Sequence, residues 1–137
     1  MKFISSSVEN TIEIGIKLAK RLKKGDVVAL IGDLGSGKTV LTKGIAKGLG
    51  VKDSRYVNSP TFVIIKEYKG KIPLYHFDLY RLDRSNILDM EAYEEYFYGD
   101  GISVIEWADK IRPFLPAGYI EVRLSVAGEN KRKIEIK

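Results

Sequence analysis

The chain has 137 residues, 45% of them hydrophobic and 30% charged, the balance of one globular domain over residues 1–137 rather than of a disordered chain. It has no cysteine and one histidine, which excludes disulfides, thiolate metal sites, a cysteine nucleophile and a histidine-built metal cluster. The net charge of +5 is uneven: residues 86–100 hold five acids and no base, so the rest carries +10. A basic body suits a polyanion such as nucleotide or RNA, and an acidic stretch suits a basic partner.

Taken in chain order, Met1-Lys2-Phe3-Ile4 gives way to Ser5-Ser6-Ser7 without the apolar core of a signal peptide. The longest aliphatic run, Val27–Ile31, is far too short for a bilayer, so the expectation is a cytoplasmic protein. Ser6-Ser7-Val8-Glu9 has capping-box spacing. Val8, Ile12, Ile16, Ala19 and Leu22 recur at steps of three or four, which predicts a helix burying that face. Lys20, Arg21, Lys23 and Lys24 crowd its end, where cations complement the helix dipole or face RNA.

The β-branched run Val27–Ile31 reads as a strand covered on both faces. Leu41, Ile45 and Leu49 then form the apolar stripe of a second helix. Gly44 and Gly48 share a row that permits close packing, and Gly50 is placed to cap the end. Two β-type runs, residues 61–68 and 72–80, flank a hairpin loop at Lys69-Gly70-Lys71. Ile87, Met90, Tyr93 and Phe97 share a helical face over residues 86–98. Ile102-Ser103-Val104-Ile105 is a further strand, with Pro113 and Pro116 punctuating the stretch after it. Residues 119–126 and 133–136 close the chain as strands around Gly128. The order of elements implies an α/β fold with a mixed sheet.

Gly32-Asp33-Leu34-Gly35-Ser36-Gly37-Lys38-Thr39 fits G-x-x-x-x-G-K-[ST] at every fixed position, between a strand and an amphipathic helix. Glycines let consecutive N–H groups turn inward as an anion nest, and the helix adds its positive end. Lys38 reaches β- and γ-phosphates, and the Thr39 hydroxyl is a hard ligand for Mg²⁺. A second metal anchor is expected at a neighbouring strand end, and Val104-Ile105-Glu106 supplies one, with Asp78 the second candidate. Strand alternation puts His76, Asp78 and Tyr80 on one face, pointing into a site or into water. His76 reads as a hydrogen-bonding neighbour rather than a base. Asn58-Ser59-Pro60-Thr61 is either a γ-phosphate-sensing loop or a proline turn. Arg81 and Arg84 are candidates to neutralise charge on a transferred phosphoryl group, and Trp107 reads as a core residue.

With the glycine-rich loop, Ser59-Pro60-Thr61-Phe62, His76-x-Asp78-x-Tyr80-Arg81 and Glu106-Trp107 in this order, the chain resembles the TsaE (YjeE) family of small bacterial P-loop ATPases, from about Ser6 to Arg132. Ser36, Val40 and Asn58 depart from the residues frequent there. The resemblance implies a P-loop NTPase-like three-layer fold and ATP hydrolysis in threonylcarbamoyladenosine formation at position 37 of tRNAs. It implies that residues 32–39 bind ATP phosphates, that Thr39 and Glu106 hold Mg²⁺, and that Asp78 is required for activity and orients the attacking water. Catalytic roles thus fall to Lys38, Asp78 and Glu106. Thr11, Val40, Trp107 and Arg132 join residues 32–39 on the nucleotide side. Implied partners are TsaB and TsaD, with tRNA reached through their complex, and neither membrane nor DNA. The residues alone also admit a small-molecule P-loop kinase or a nucleotide-gated binding module. A GTPase fits poorly, because the only Asn-Lys, at Asn130-Lys131, lies near the end without the guanine motif.

Overall fold

A computed structural model describes residues 1–52, 65–82 and 94–137. It holds strands β1 (Lys2–Ser5), β2 (Val27–Ile31), β3 (Ile65–Tyr68), β4 (Leu74–Asp78), β5 (Ile102–Glu106), β6 (Ile120–Gly128) and β7 (Lys131–Ile136). Helices are α1 (Val8–Ala19), α2 (Lys38–Gly48) and the single turn α3 (Glu94–Phe97), with a kinked 3₁₀ segment at Ala108–Phe114. The seven strands form one mixed sheet in the order β1-β7-β6-β2-β5-β4-β3. Strands β6, β2, β5 and β4 run parallel, and antiparallel pairs close both edges.

Alternation along the parallel strands splits the core into two layers. Val28 and Leu30 of β2 pack with Ile102 and Val104 of β5 against Ile14 and Leu18 of α1 and Leu41 and Ile45 of α2. Val27, Ala29 and Ile105 face the other way, onto Phe77, Phe97, Ala108 and Ile111. Strand β2 is thus covered on both faces, as its unbroken apolar run requires.

Helix α1 differs from the sequence reading in two respects. Its N-cap is Ser7, whose Oγ accepts the Asn10 N–H at 3.0 Å, while Asn10 Oδ1 accepts the Ser6 N–H. The expected Ser6–Glu9 box is therefore displaced by one residue. Its buried face is Thr11, Ile14, Gly15, Leu18 and Ala19, while Val8 is 57% exposed. The helix turns this way because Gly15 must meet α2. A Cβ on Gly15 would lie 2.6 Å from the Leu41 carbonyl oxygen, and one on Gly44 would run into that of Ile12. The two backbones approach where neither has a side chain. Gly48 fits as closely against Ile16 and Ala19, and Gly50 ends α2 with φ +78°.

Two elements were not anticipated, β1 and the 3₁₀ segment. Strand β4 stops at Asp78, so Tyr80 is not on its face and sits in an exposed turn. The connection between β3 and β4 spans residues 69–73, two longer than the expected loop. The beginning of the predicted third helix and of the run from residue 61 lie outside the described residues.

Candidate functional site

Strand β2 delivers the chain to Gly32 at the carboxyl edge of the parallel strands, where open α/β sheets bind their ligands. A Cβ on Gly32 would press within 2.5 Å of the Leu124 carbonyl oxygen and 2.6 Å of Ser36 Oγ. Gly37 holds φ +101° as the N-cap of α2, and no side chain caps the helix, so its first N–H groups remain directed at the loop. Asp33, Leu34 and Gly35 stand exposed at the tip.

Lys38, the first residue of α2, folds back across the loop and is only 5% exposed. Its Nζ donates to the carbonyl oxygens of Gly32 at 2.5 Å and Asp33 at 2.9 Å, and lies 4.0 Å from the centre of the Trp107 ring. Burial pushes the pKa of the ammonium down, against the pull of the Glu106, Asp78 and Asp33 carboxylates.

One residue on, Thr39 Oγ1 donates to Glu106 at 2.9 Å to Oε1 and 3.2 Å to Oε2. Glu106 ends β5 and is only 2% exposed, so its carboxylate faces the loop and not solvent. Register sets Asp78 of β4 opposite Glu106. Asp78 is half-buried, and its Oδ1 accepts the Tyr80 N–H at 3.0 Å. His76, two residues back on the same face, is fully buried with Nε2 2.5 Å from Glu106 Oε2.

Trp107 is half-buried rather than core. It is the one non-glycine among the described residues with positive φ, at +60°, a conformation that costs such a residue about 1–3 kcal/mol. That backbone turn lays the indole against the ammonium of Lys38 and the ring of Tyr80, whose centre is 5.2 Å away, with the Lys110 ammonium 6.0 Å from the indole centre. Lys110 holds the turn after β4 by donating to the Tyr80 and Leu82 carbonyls. Neither Tyr80 stacking nor Lys110 had a signal in residue spacing, because the 3₁₀ segment creates both contacts.

On the other side of the loop, Arg132 Nε donates to the Gly35 carbonyl at 3.2 Å. Arg132 pairs in register with Ser5, whose hydroxyl lies 2.6 Å from that of the buried Thr11. Strand β1 thereby gathers Thr11 and Arg132 beside the loop, although 121 positions separate them. Val40 is half-buried on the first turn of α2, and Arg81 is exposed. Asn58-Ser59-Pro60-Thr61 and Arg84 lie outside the described residues.

A strand, a glycine loop and a helix whose first turn presents lysine and threonine to a strand-end carboxylate define a P-loop nucleotide-binding domain. The family model "Threonylcarbamoyl adenosine biosynthesis protein TsaE" matches residues 5–134, and the chain belongs to the TsaE family. It is 46% identical to the tRNA threonylcarbamoyladenosine biosynthesis protein TsaE of Bacillus subtilis, over 98% of this chain and 83% of that one. To the protein of the same name from Treponema pallidum it is 36% identical, over 99% of each. The crystal structure of Bacillus subtilis YdiB superposes with a TM-score of 0.77 at 39% identity, covering 98% of this chain and 82% of that one.

Proposed function

We propose that this protein, acting as a single domain over residues 1–137, is an ATP-hydrolysing subunit required for threonylcarbamoyladenosine formation at position 37 of tRNAs. In this reading it works in the cytoplasm and supports turnover of a TsaB–TsaD transferase complex. Similarity to the Bacillus subtilis and Treponema pallidum proteins supports the pathway. Among the described residues no helix is long and apolar enough to cross a membrane.

The observation that carries the chemistry is the Thr39–Glu106 contact. Oγ1 and Oε1 lie 2.9 Å apart, close to the separation of about 3 Å between adjacent oxygens on an octahedral ion with bonds of about 2.1 Å. Mg²⁺ is bound by few protein oxygens together with phosphates and water, so two hard donors beside a phosphate cradle fit it. When bound, Mg²⁺ would neutralise phosphate charge and fix the phosphate geometry.

The chain's own residues supply the rest. Residues 32–39 cradle the phosphates with their N–H groups, and Lys38 exchanges its carbonyl partners for phosphate oxygens. Asp78 accepts a hydrogen bond from the attacking water and orients it towards phosphorus. Thr11, Val40, Trp107 and Arg132 border the nucleotide, with Arg132 also fixing the loop through Gly35. Phosphoryl transfer depends on such positioning and charge more than on a strong base.

The test is ATP hydrolysis by the purified protein, alone and with TsaB, TsaD and tRNA. Stimulation by the mixture that Glu106→Ala abolishes is the expected result. Unstimulated activity with phosphate transferred to a small acceptor would overturn the reading in favour of a kinase.

A further inference from the structure

His76 has one polar partner among the described residues. Its Nε2 meets Glu106 Oε2 at 2.5 Å, and its Nδ1 is buried with none. An ionised carboxylate only accepts, so Nε2 carries the proton and donates. The position itself is apolar: His76 follows Leu74 on the buried face of β4 and pairs in register with Val104. An aliphatic side chain would fill it without the cost of an unpaired ring nitrogen. The imidazole therefore serves its one contact rather than the core.

That contact fixes the plane of the Glu106 carboxylate. His76 meets Oε2, while Thr39 Oγ1 spans both oxygens, at 2.9 Å from Oε1 and 3.2 Å from Oε2. Without the imidazole, the carboxylate is held, among the described residues, by the Thr39 hydroxyl alone, and its plane is free to swing about the last torsion. It would also stand in register with the Asp78 carboxylate with less to offset their repulsion.

We propose that His76 is a positioning residue that locks the plane of the Glu106 carboxylate, so that the oxygen nearer Thr39 is set for a divalent cation. This rests on the reading of Glu106 as a metal anchor. Hydrogen-bond partners of metal ligands are worth about 10–100-fold in metal affinity.

The experiment measures Mn²⁺ binding to the full chain saturated with ADP, by electron paramagnetic resonance of free Mn²⁺. Metal-free ADP affinity is measured separately in EDTA. His76→Phe, which fills the volume without a donor, is expected to weaken Mn²⁺ binding about tenfold. His76→Asn, whose amide falls short of the Nε2 position, should do the same. His76→Gln, whose amide reaches that position, should restore most of the affinity, and all three should leave metal-free ADP binding intact.

Unchanged Mn²⁺ affinity in His76→Phe and His76→Asn, with Glu106→Gln weakened, would overturn the role of His76 alone. Unchanged affinity in Glu106→Gln would overturn the metal-anchor reading, and the inference with it. An equal fall in metal-free ADP binding, or loss of folding in all three His76 variants, would make the imidazole a structural residue and overturn the proposal. If only His76→Phe fails to fold, the contrast between Asn and Gln decides.

Discussion

Replacing Gly44 by alanine adds one methyl group to the middle of α2, a change that stabilises an exposed helix by about 1 kcal/mol. Here the methyl carbon would sit 3.0 Å from Gly15 Cα and 3.0 Å from the Ile12 carbonyl carbon, and closer still to the oxygen. These neighbours are backbone and have no rotamer to change. Helices α1 and α2 must part by roughly 0.5–1 Å, a gap that forfeits a quarter to a half of the dispersion attraction of the contacts it opens. Overpacking of this kind costs typically about 1–3 kcal/mol, and a clash with backbone belongs at the upper end. Set against the gain in helix propensity, the net expectation is a loss of about 2 kcal/mol. Urea unfolding measures it: with a slope of about 1–3 kcal/mol per molar, the midpoint should fall by around 1 M at constant slope. A midpoint equal to or above that of the parent would refute the claim that the helices meet backbone to backbone.

Lys38→Ala is expected to weaken ATP binding about 10–100-fold, the value of a charge-assisted contact, while Asp78→Ala should keep affinity within about threefold and lower turnover by about 10²–10⁴. Calorimetric titration beside a phosphate-release assay separates the two, and equal loss of binding in both would refute the role given to Asp78. Ser7→Ala should cost about 1 kcal/mol of unfolding free energy by removing the cap of α1, and an unchanged thermal midpoint would count against that cap. Glu121 is held below the ordinary carboxylate range by hydrogen bonds from Arg123 and Arg112. Its lowered folded-state pKa stabilises the protein at neutral pH, and that stabilisation is lost as pH falls below about 4.3 and through the folded value. Unfolding titrations at several pH values should show the gap between parent and Glu121→Gln closing in that window, and closing further in salt because both arginines are partly exposed; a gap that widens would reverse the sign of the argument.

What was legible in the sequence was whatever the chain writes contiguously. The glycine loop, the apolar run of β2 and the stop at Glu106 each occupy a few adjacent residues, and their places in the fold derive from them. On α1, hydropathy favours a face with Val8, Ile12 and Ile16, and the structure turns it away. The helix instead buries Thr11 and Gly15, chosen for their fit to Ser5 and Gly44. Strand β1 has four residues and exists through pairing with β7 at the far end of the chain, which no local pattern encodes. The His76–Glu106 contact depends likewise on the parallel register of β4 and β5. Trp107 is a poor candidate for left-handed backbone, and only the geometry between β5 and the 3₁₀ segment imposes it.

That left-handed turn has an optical consequence. Trp107 is the chain's only tryptophan, and its ring contacts both the Lys38 ammonium and the ring of Tyr80. All indole emission from this protein therefore originates beside the phosphate cradle, under the field of two ammonium groups, Lys38 at 4.0 Å and Lys110 at 6.0 Å from the ring centre. Any event that draws Lys38 off the ring removes the nearer of the two charges, so the colour and intensity of the indole emission respond to the lysine with no label attached.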